Sequence, residues 1–288
     1  MKNATSEFID IRGFRTHVRH WGDAGSPKLF VFHGWGDMSA TWQFMVDGFK
    51  RDWHVIAPDW RGCGKSDYVG ATYYFPDWLA DIDAVLERYS PDTPVILLGH
   101  SMGANAVSLY AGVRPERVSH LINLEGLGLP STSASSAPDR YAKWLRMLKK
   151  DLRFRTYPDR AALAQRLRND NPRLTRERAV FLAGHFGVEN AEGGISLALD
   201  TAHRLINPVR YRSDEAAACW NRITAPMLLI TAADSHIFRD FFTFDSDEMK
   251  HRVACFKTAR HVHLPDCSHN MQHDQPEVLA QIIEEFIA

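Results

Sequence analysis

Cysteines are few in this chain, and long apolar runs are missing. Cys63, Cys219, Cys255 and Cys267 are scattered through 288 residues, without metal-ligand spacing or the density of a disulfide framework. Reduced thiols and a cytoplasmic setting are therefore expected. No stretch approaches the run of about 18 apolar residues that a spanning helix needs, and no apolar segment follows Lys2 as a secretory leader would require. A dominant charge is also missing. The 34 Lys and Arg are balanced by 35 Asp and Glu, a net of −1, so nothing overall draws the chain to nucleic acid or to a membrane surface. No internal repeat is visible. His269 and His273 have the i, i+4 spacing of a zinc-binding helix, but the intervening Asn270-Met271-Gln272 lacks the glutamate of that motif. His261 and His263 share one face of a strand without further ligands nearby, and no metal or organic cofactor is expected.

The remaining sequence is organised around Pro94 to Val107. There the apolar run Val95-Ile96-Leu97-Leu98 breaks into Gly99-His100-Ser101-Met102-Gly103 and continues as Ala104-Asn105-Ala106-Val107. Strand, sharp turn and helix follow one another, with a serine flanked by glycines two residues before and two after it. This is the G-x-S-x-G pattern of a nucleophile elbow. The glycines let strand and helix backbones approach closely while the serine, in a strained conformation, presents its hydroxyl beyond the sheet.

Taken in order, residues 7–12 and 15–21 read as a hairpin, and Lys28 to Phe32, His54 to Asp59, Val118 to Leu124, Pro226 to Ala232 and His261 to Pro265 as further strands. Helical spacing covers Thr41 to Phe49, Pro76 to Tyr89, the stretch after Ser101, and Gln275 to Phe286, where Pro276 falls in the first turn. This alternation predicts an α/β fold with a doubly wound, mostly parallel sheet, and the strands number eight. The texture changes after Gly128. Between Asp139 and Arg178 thirteen Lys and Arg stand against five acids, with helical patches at 141–152, 161–167 and 176–183. Residues 129–217 are therefore expected to form an inserted helical cap on a core made of 1–128 and 218–288. The basic stretch is expected to be mainly a solvated helical face.

A serine hydroxyl is a weak nucleophile near neutrality and needs a histidine base, which an acid in turn orients. Among 14 histidines, His269 has the fitting position, in the turn between the last strand and the last helix. Together with it, His33-Gly34-Trp35-Gly36, Asp59-Trp60-Arg61-Gly62-Cys63-Gly64-Lys65-Ser66, Gly99-His100-Ser101-Met102-Gly103 and Ser268-His269 resemble the α/β-hydrolase superfamily over nearly the whole chain outside the cap. The resemblance implies an enzyme with Ser101 as nucleophile and His269 as base. It also implies that the backbone N–H groups of Trp35 and Met102 form an oxyanion hole. The acid departs from the family pattern. Ser235 stands where the usual aspartate falls, Asp234 lies one residue earlier, and Glu125 follows the sixth strand, where haloalkane dehalogenases carry their acid. Both carboxylates are candidates. Epoxide hydrolases and haloalkane dehalogenases share the layout but use an aspartate nucleophile, from which Ser101 departs. The Asp59 to Ser66 stretch reads as a structural turn. The expected activity is cleavage of a carboxylic ester or related acyl bond in a small-molecule substrate. A carbon–carbon hydrolase, a lactonase, a thioesterase or a non-catalytic binding member are the alternatives.

Overall fold

A computed structural model describes residues 1–237, 243 and 246–288. Its first strands, β1 (Ala4–Ile11) and β2 (Phe14–Trp21), form the expected hairpin, turned by Arg12 and Gly13 at positive φ. Then come β3 (Lys28–Phe32), helix α1 (Gln43–Gly48), β4 (His54–Pro58), α2 (Phe75–Tyr89), β5 (Val95–His100), α3 (Met102–Val113) and β6 (Val118–Leu124). An insertion follows, with α4 (Ala137–Met147), α5 (Arg160–Asp170), α6 (Arg176–Phe186) and a small hairpin of β7 (Gly187–Glu189) and β8 (Ile195–Leu197). Helix α7 (Ser213–Trp220), β9 (Met227–Ala232), the helix Asp247–Ala254, β10 (Ala259–Leu264), a single helical turn at Met271–Asp274 and the closing helix Pro276–Ile287 follow.

The main sheet has eight strands in the order β1-β2-β4-β3-β5-β6-β9-β10. Pairing is antiparallel from β1 to β2 and from β2 to β4, and parallel everywhere beyond. Side chains alternate across the strands, so neighbours serve opposite faces. Phe30, Leu97, Leu121 and Leu229 pack with Ile82 and Leu86 of α2, Val107 of α3 and Trp220 of α7. Leu29, Val31, Leu98, Ile122 and Leu228 pack on the other face with Met45 of α1 and Leu279 and Ile283 of the closing helix. Burial on both faces is why these strands read as continuous apolar runs.

The insertion has a small core of its own. Leu163 of α5, Leu182 and Ala183 of α6, Tyr157 and Ile195 pack around Phe44 of α1, and the Phe44 and Phe181 rings meet edge to face at 5.3 Å. Position 217 lies inside α7, which packs on the core helix α3 and meets the insertion where Ser213 bonds Ser131 at 2.6 Å. Helix α4 stops at Met147, short of the 152 that periodicity suggests. The β7–β8 hairpin and the helix Asp247–Ala254 have no counterpart in the sequence reading. The strands of that hairpin are three residues each, too short to show a period, and the helix buries only Met249 and Arg252.

Asp59 anchors the loops after β3 and β4. Its carboxylate accepts from Ser39 N at 2.6 Å and Lys65 N at 2.9 Å and meets His17 Nδ1 at 2.7 Å. Burial opposes its charge, but these partners outweigh that and hold the carboxyl down at about 2. Beside it, Arg61 forks onto Asp81 at 2.5 and 2.7 Å. Asp59→Asn should therefore destabilise the fold by about 2 kcal/mol, because an amide group in place of one carboxylate oxygen leaves a buried N–H donor without an acceptor. Chemical denaturation checks this, and an unchanged midpoint would contradict the anchoring role.

Candidate active site

The elbow is built as its glycines require. A Cβ on Gly103 would lie 2.2 Å from the Phe32 carbonyl oxygen, and one on Gly99 would lie 2.5 Å from Ala104 N, so neither position has room for a side chain. Between them Ser101 sits at φ 54° and ψ −115°, a strained region for a residue with a Cβ. Its N–H donates to Leu124 O at 2.8 Å, tying the turn to the neighbouring strand. Among the described residues its hydroxyl makes no hydrogen bond. The N–H groups of Trp35, in the loop after β3, and of Met102, at the first position of α3, likewise have no acceptor among the described residues. An N–H at a helix start has no partner within its own helix.

Glu125 follows β6 immediately and also has positive φ, 56°. The turn is pinned by buried Asn123, which accepts from Gly126 N at 2.7 Å and donates to Gly126 O at 2.9 Å and to Ser108 Oγ at 2.8 Å. Glu125 is thereby directed at the loop after β9. Its Oε1 accepts from Ala232 N at 2.7 Å, and its Oε2 accepts from Ser235 Oγ at 2.7 Å and contacts His269 Nδ1 at 2.6 Å. Asp234 lies elsewhere: it is half-exposed and paired with Arg173, which also donates through Nε to Asp266 O at 3.0 Å. Of the two candidate carboxylates, Glu125 is the one bonded to the histidine.

His269 is seated from several sides. The buried His100 ring lies 4.7 Å from its ring and donates through Nε2 to the His269 carbonyl at 2.8 Å, while Gln272 Nε2 lies 3.4 Å from His100 Nδ1. A donating Nε2 and an accepting Nδ1 define a neutral ring, and burial pushes the His100 pKa well down. His100 links the elbow to the His269 loop and stands under the loop after β3, since a Cβ on Gly34 would come within 3.0 Å of Nδ1. The exposed His236 ring meets His269 edge-on at 4.8 Å. His273, i+4 from His269, is instead buried against Thr41 Oγ1 at 2.5 Å. His261 and His263 both reach Thr231 Oγ1. Among the described residues no cluster of His, Cys, Asp and Glu could hold a metal ion.

Sequence reasoning gave His100, Gln272 and Arg173 no role. The position of Ser235 was recognised, but its service as a donor to Glu125 was not. None of these contacts leaves a periodic signal, because each joins loops far apart in the chain.

Burial shifts both members of the central pair toward their neutral forms. It pushes the Glu125 carboxyl up to about 7 despite the hydrogen bonds from Ser235 and Ala232, and it pushes the His269 ring down to about 3, with His236 adding to the effect. Burial thus disfavours charge on both members of the pair, and with Glu125 ionised its Oε2 accepts from a proton on His269 Nδ1. In this tautomer Nε2 carries the free lone pair.

With this geometry in view, the relatives are informative. A model of the alpha/beta hydrolase fold matches residues 27–276. The chain belongs to that family, and its eight-stranded, mostly parallel sheet is the expected one. A serine hydrolase-like protein of Danio rerio is 25% identical over 310 residues, covering 100% of this chain and 90% of its own length. A monoglyceride lipase of Rattus norvegicus is 34% identical over 136 residues, 44% of this chain and 45% of the lipase. Among solved structures, a thioesterase domain from the curacin biosynthetic pathway superposes with a TM-score of 0.86 at 27% identity, over 98% of this chain and 99% of that domain.

Removing the Ser235 hydroxyl takes away a donor that favours the ionised form of Glu125. Ser235→Ala should therefore raise the pH at which this carboxyl titrates, followed by NMR of side-chain-labelled glutamate. An unchanged or lower midpoint would contradict the electrostatics described.

Proposed function

We propose that the protein is a serine hydrolase that cleaves a carboxylic ester or a related acyl bond, thioesters included, through an acyl-enzyme. The observation that carries this reading is the 2.6 Å contact between His269 Nδ1 and Glu125, one strand away from a strained serine whose hydroxyl has no other engagement among the described residues. In the first step Ser101 Oγ attacks the acyl carbon as His269 Nε2 takes its proton. The tetrahedral oxyanion is held by the N–H groups of Trp35 and Met102, where a single donor is worth about 3 kcal/mol. The imidazolium is stabilised by Glu125 and passes its proton to the leaving group. Water, deprotonated by the same nitrogen, then releases the acid and restores Ser101.

Glu125 is our choice of orienting acid, and Asp234 is assigned a structural part. The ion pair of Asp234 with Arg173 supports this, together with the bond of His269 Nδ1 to Glu125. The likeness to a thioesterase domain supports including thioesters. Residues 129–217 act in this reading as a cap that shapes the acyl pocket. Support comes from the contacts of the α5–α6 connection with the loops around the site: Arg173 reaches Asp234 and Asp266, and Asn171 reaches Asp274 at 2.6 Å. On the other side, Phe181 and Phe186 pack against Met38 and Ala40, just beyond the Trp35 loop.

Turnover of a panel of chromogenic esters by two isosteric variants tests the assignment. Glu125→Gln should lower kcat by about 10³ to 10⁴, through loss of imidazolium stabilisation and of the correct tautomer. Asp234→Asn should stay within about tenfold of wild type, since an exposed ion pair is worth no more than about 1 kcal/mol. The reverse order would transfer the role to Asp234, and wild-type turnover in both variants would remove the triad altogether.

A further inference from the structure

Helix α4 fully buries none of its eleven residues, although its apolar side chains repeat at helical spacing. Trp144 and Met147 face inward, lining a cavity of about 510 Å³ with Thr72, Tyr74 and Leu205, and the Trp144 indole donates to Thr72 Oγ1 at 2.8 Å. Tyr141 and Leu145, at i and i+4, form a second apolar flank that is 51 and 53% exposed, and Leu148, 47% exposed just past the helix end, stands at the rim of the same cavity. Tyr141 and Leu145, each about half open to water, leave one flank of this helix without a partner.

The charges around that flank have one sign. Residues 139–155 carry seven Lys and Arg against two acids, and one of those acids, Asp151, is already paired with Arg153 at 2.6 Å. Arg140 is tied to Asn207 O at 2.8 Å. Lys143, Arg146, Lys149 and Lys150 form no ion pair among the described residues. The whole chain is nearly neutral, so this positive charge is local and the remainder is acidic in compensation. A charge distribution of that kind orients a protein toward a negative surface.

We propose that helix α4 and the turn after it dock the protein on an anionic phospholipid surface. Tyr141 and Leu145 enter the headgroup boundary with Leu148 at its edge, and Lys143, Arg146 and Lys149 meet lipid phosphates. An apolar flank beside a basic face is the pattern of a helix lying in the plane of a bilayer interface. A second copy of the same face is disfavoured by its like charge. Long, unpaired Lys and Arg side chains suit a diffuse negative surface better than the fixed carboxylate pattern of a protein partner.

The experiment is co-sedimentation of the full chain with vesicles of pure phosphatidylcholine and with vesicles of equal parts phosphatidylcholine and phosphatidylglycerol. It reads binding alone, so its outcome is separate from whether Ser101 is a nucleophile. Wild type should bind only the anionic vesicles and be released as salt is raised to about 0.5 M. Tyr141→Ser with Leu145→Gln, and separately Arg146→Gln with Lys149→Gln, should each weaken partitioning by about tenfold or more, with unchanged circular dichroism showing that the fold is intact. Failure of wild type to bind anionic vesicles overturns the proposal. So does undiminished binding by the Tyr141/Leu145 variant, because charge alone would then explain it. Concentration-dependent dimerisation abolished by the same variant, with no vesicle binding, would give the face to a second copy.

Discussion

A carboxylate removed from water costs several kcal/mol unless donors replace its hydration, and the arrangement around Glu125 supplies those donors from three places in the chain. The Ala232 N–H comes from the end of β9, the Ser235 hydroxyl from the loop after it, and the His269 ring from the loop after β10. Two parallel strand connections and the β6 turn thus converge on one buried group. The β6 turn is fixed by Asn123, which lies fully buried and spends its amide on Gly126 and Ser108. Much of the C-terminal edge of the sheet is therefore organised by a single acid. The same burial that makes the donors necessary also disfavours charge on both partners, raising the Glu125 pKa and lowering that of His269.

The loops on the other side of the elbow are held by independent means. Asp59 collects backbone N–H groups from two loops, and His33 accepts from Trp60 N at 3.0 Å while its own carbonyl accepts from the Trp60 indole at 2.8 Å. These contacts fix the segment that carries Trp35 without occupying its N–H. His100 joins the two halves, since its ring lies beneath Gly34 and its Nε2 holds the His269 carbonyl. Preorganisation of this kind matters because donors aimed in advance need no reorganisation when charge develops.

Much of the core was legible from sequence, for a physical reason. Strands buried on both faces must be apolar throughout, so β3, β4, β5, β6 and β9 stand out as runs bounded by polar turns. The elbow is legible because backbone contact at Gly99 and Gly103 excludes every side chain. Which carboxylate meets His269 was not legible. Asp234 and Glu125 both follow strands at the correct end of the sheet, and the difference between them lies in the direction each side chain takes. Glu125 is turned inward by positive φ and by Asn123, whereas Asp234 is drawn outward by Arg173 from the insertion. Neither cause has a local signature. The insertion shows in the sequence as a basic stretch with three short helical patches, which place its helices only approximately, and its three-residue strands are too short to show a period.

The central claim is that Ser101 is an activated nucleophile, and covalent labelling tests it most directly. The purified protein would be treated with a fluorophosphonate and the adduct mapped by peptide mass spectrometry. The account predicts one phosphonylated residue, Ser101, with labelling that disappears in Ser101→Ala and slows strongly in Glu125→Gln. An unlabelled wild-type protein, or equal labelling of Ser101→Ala at another position, would contradict it.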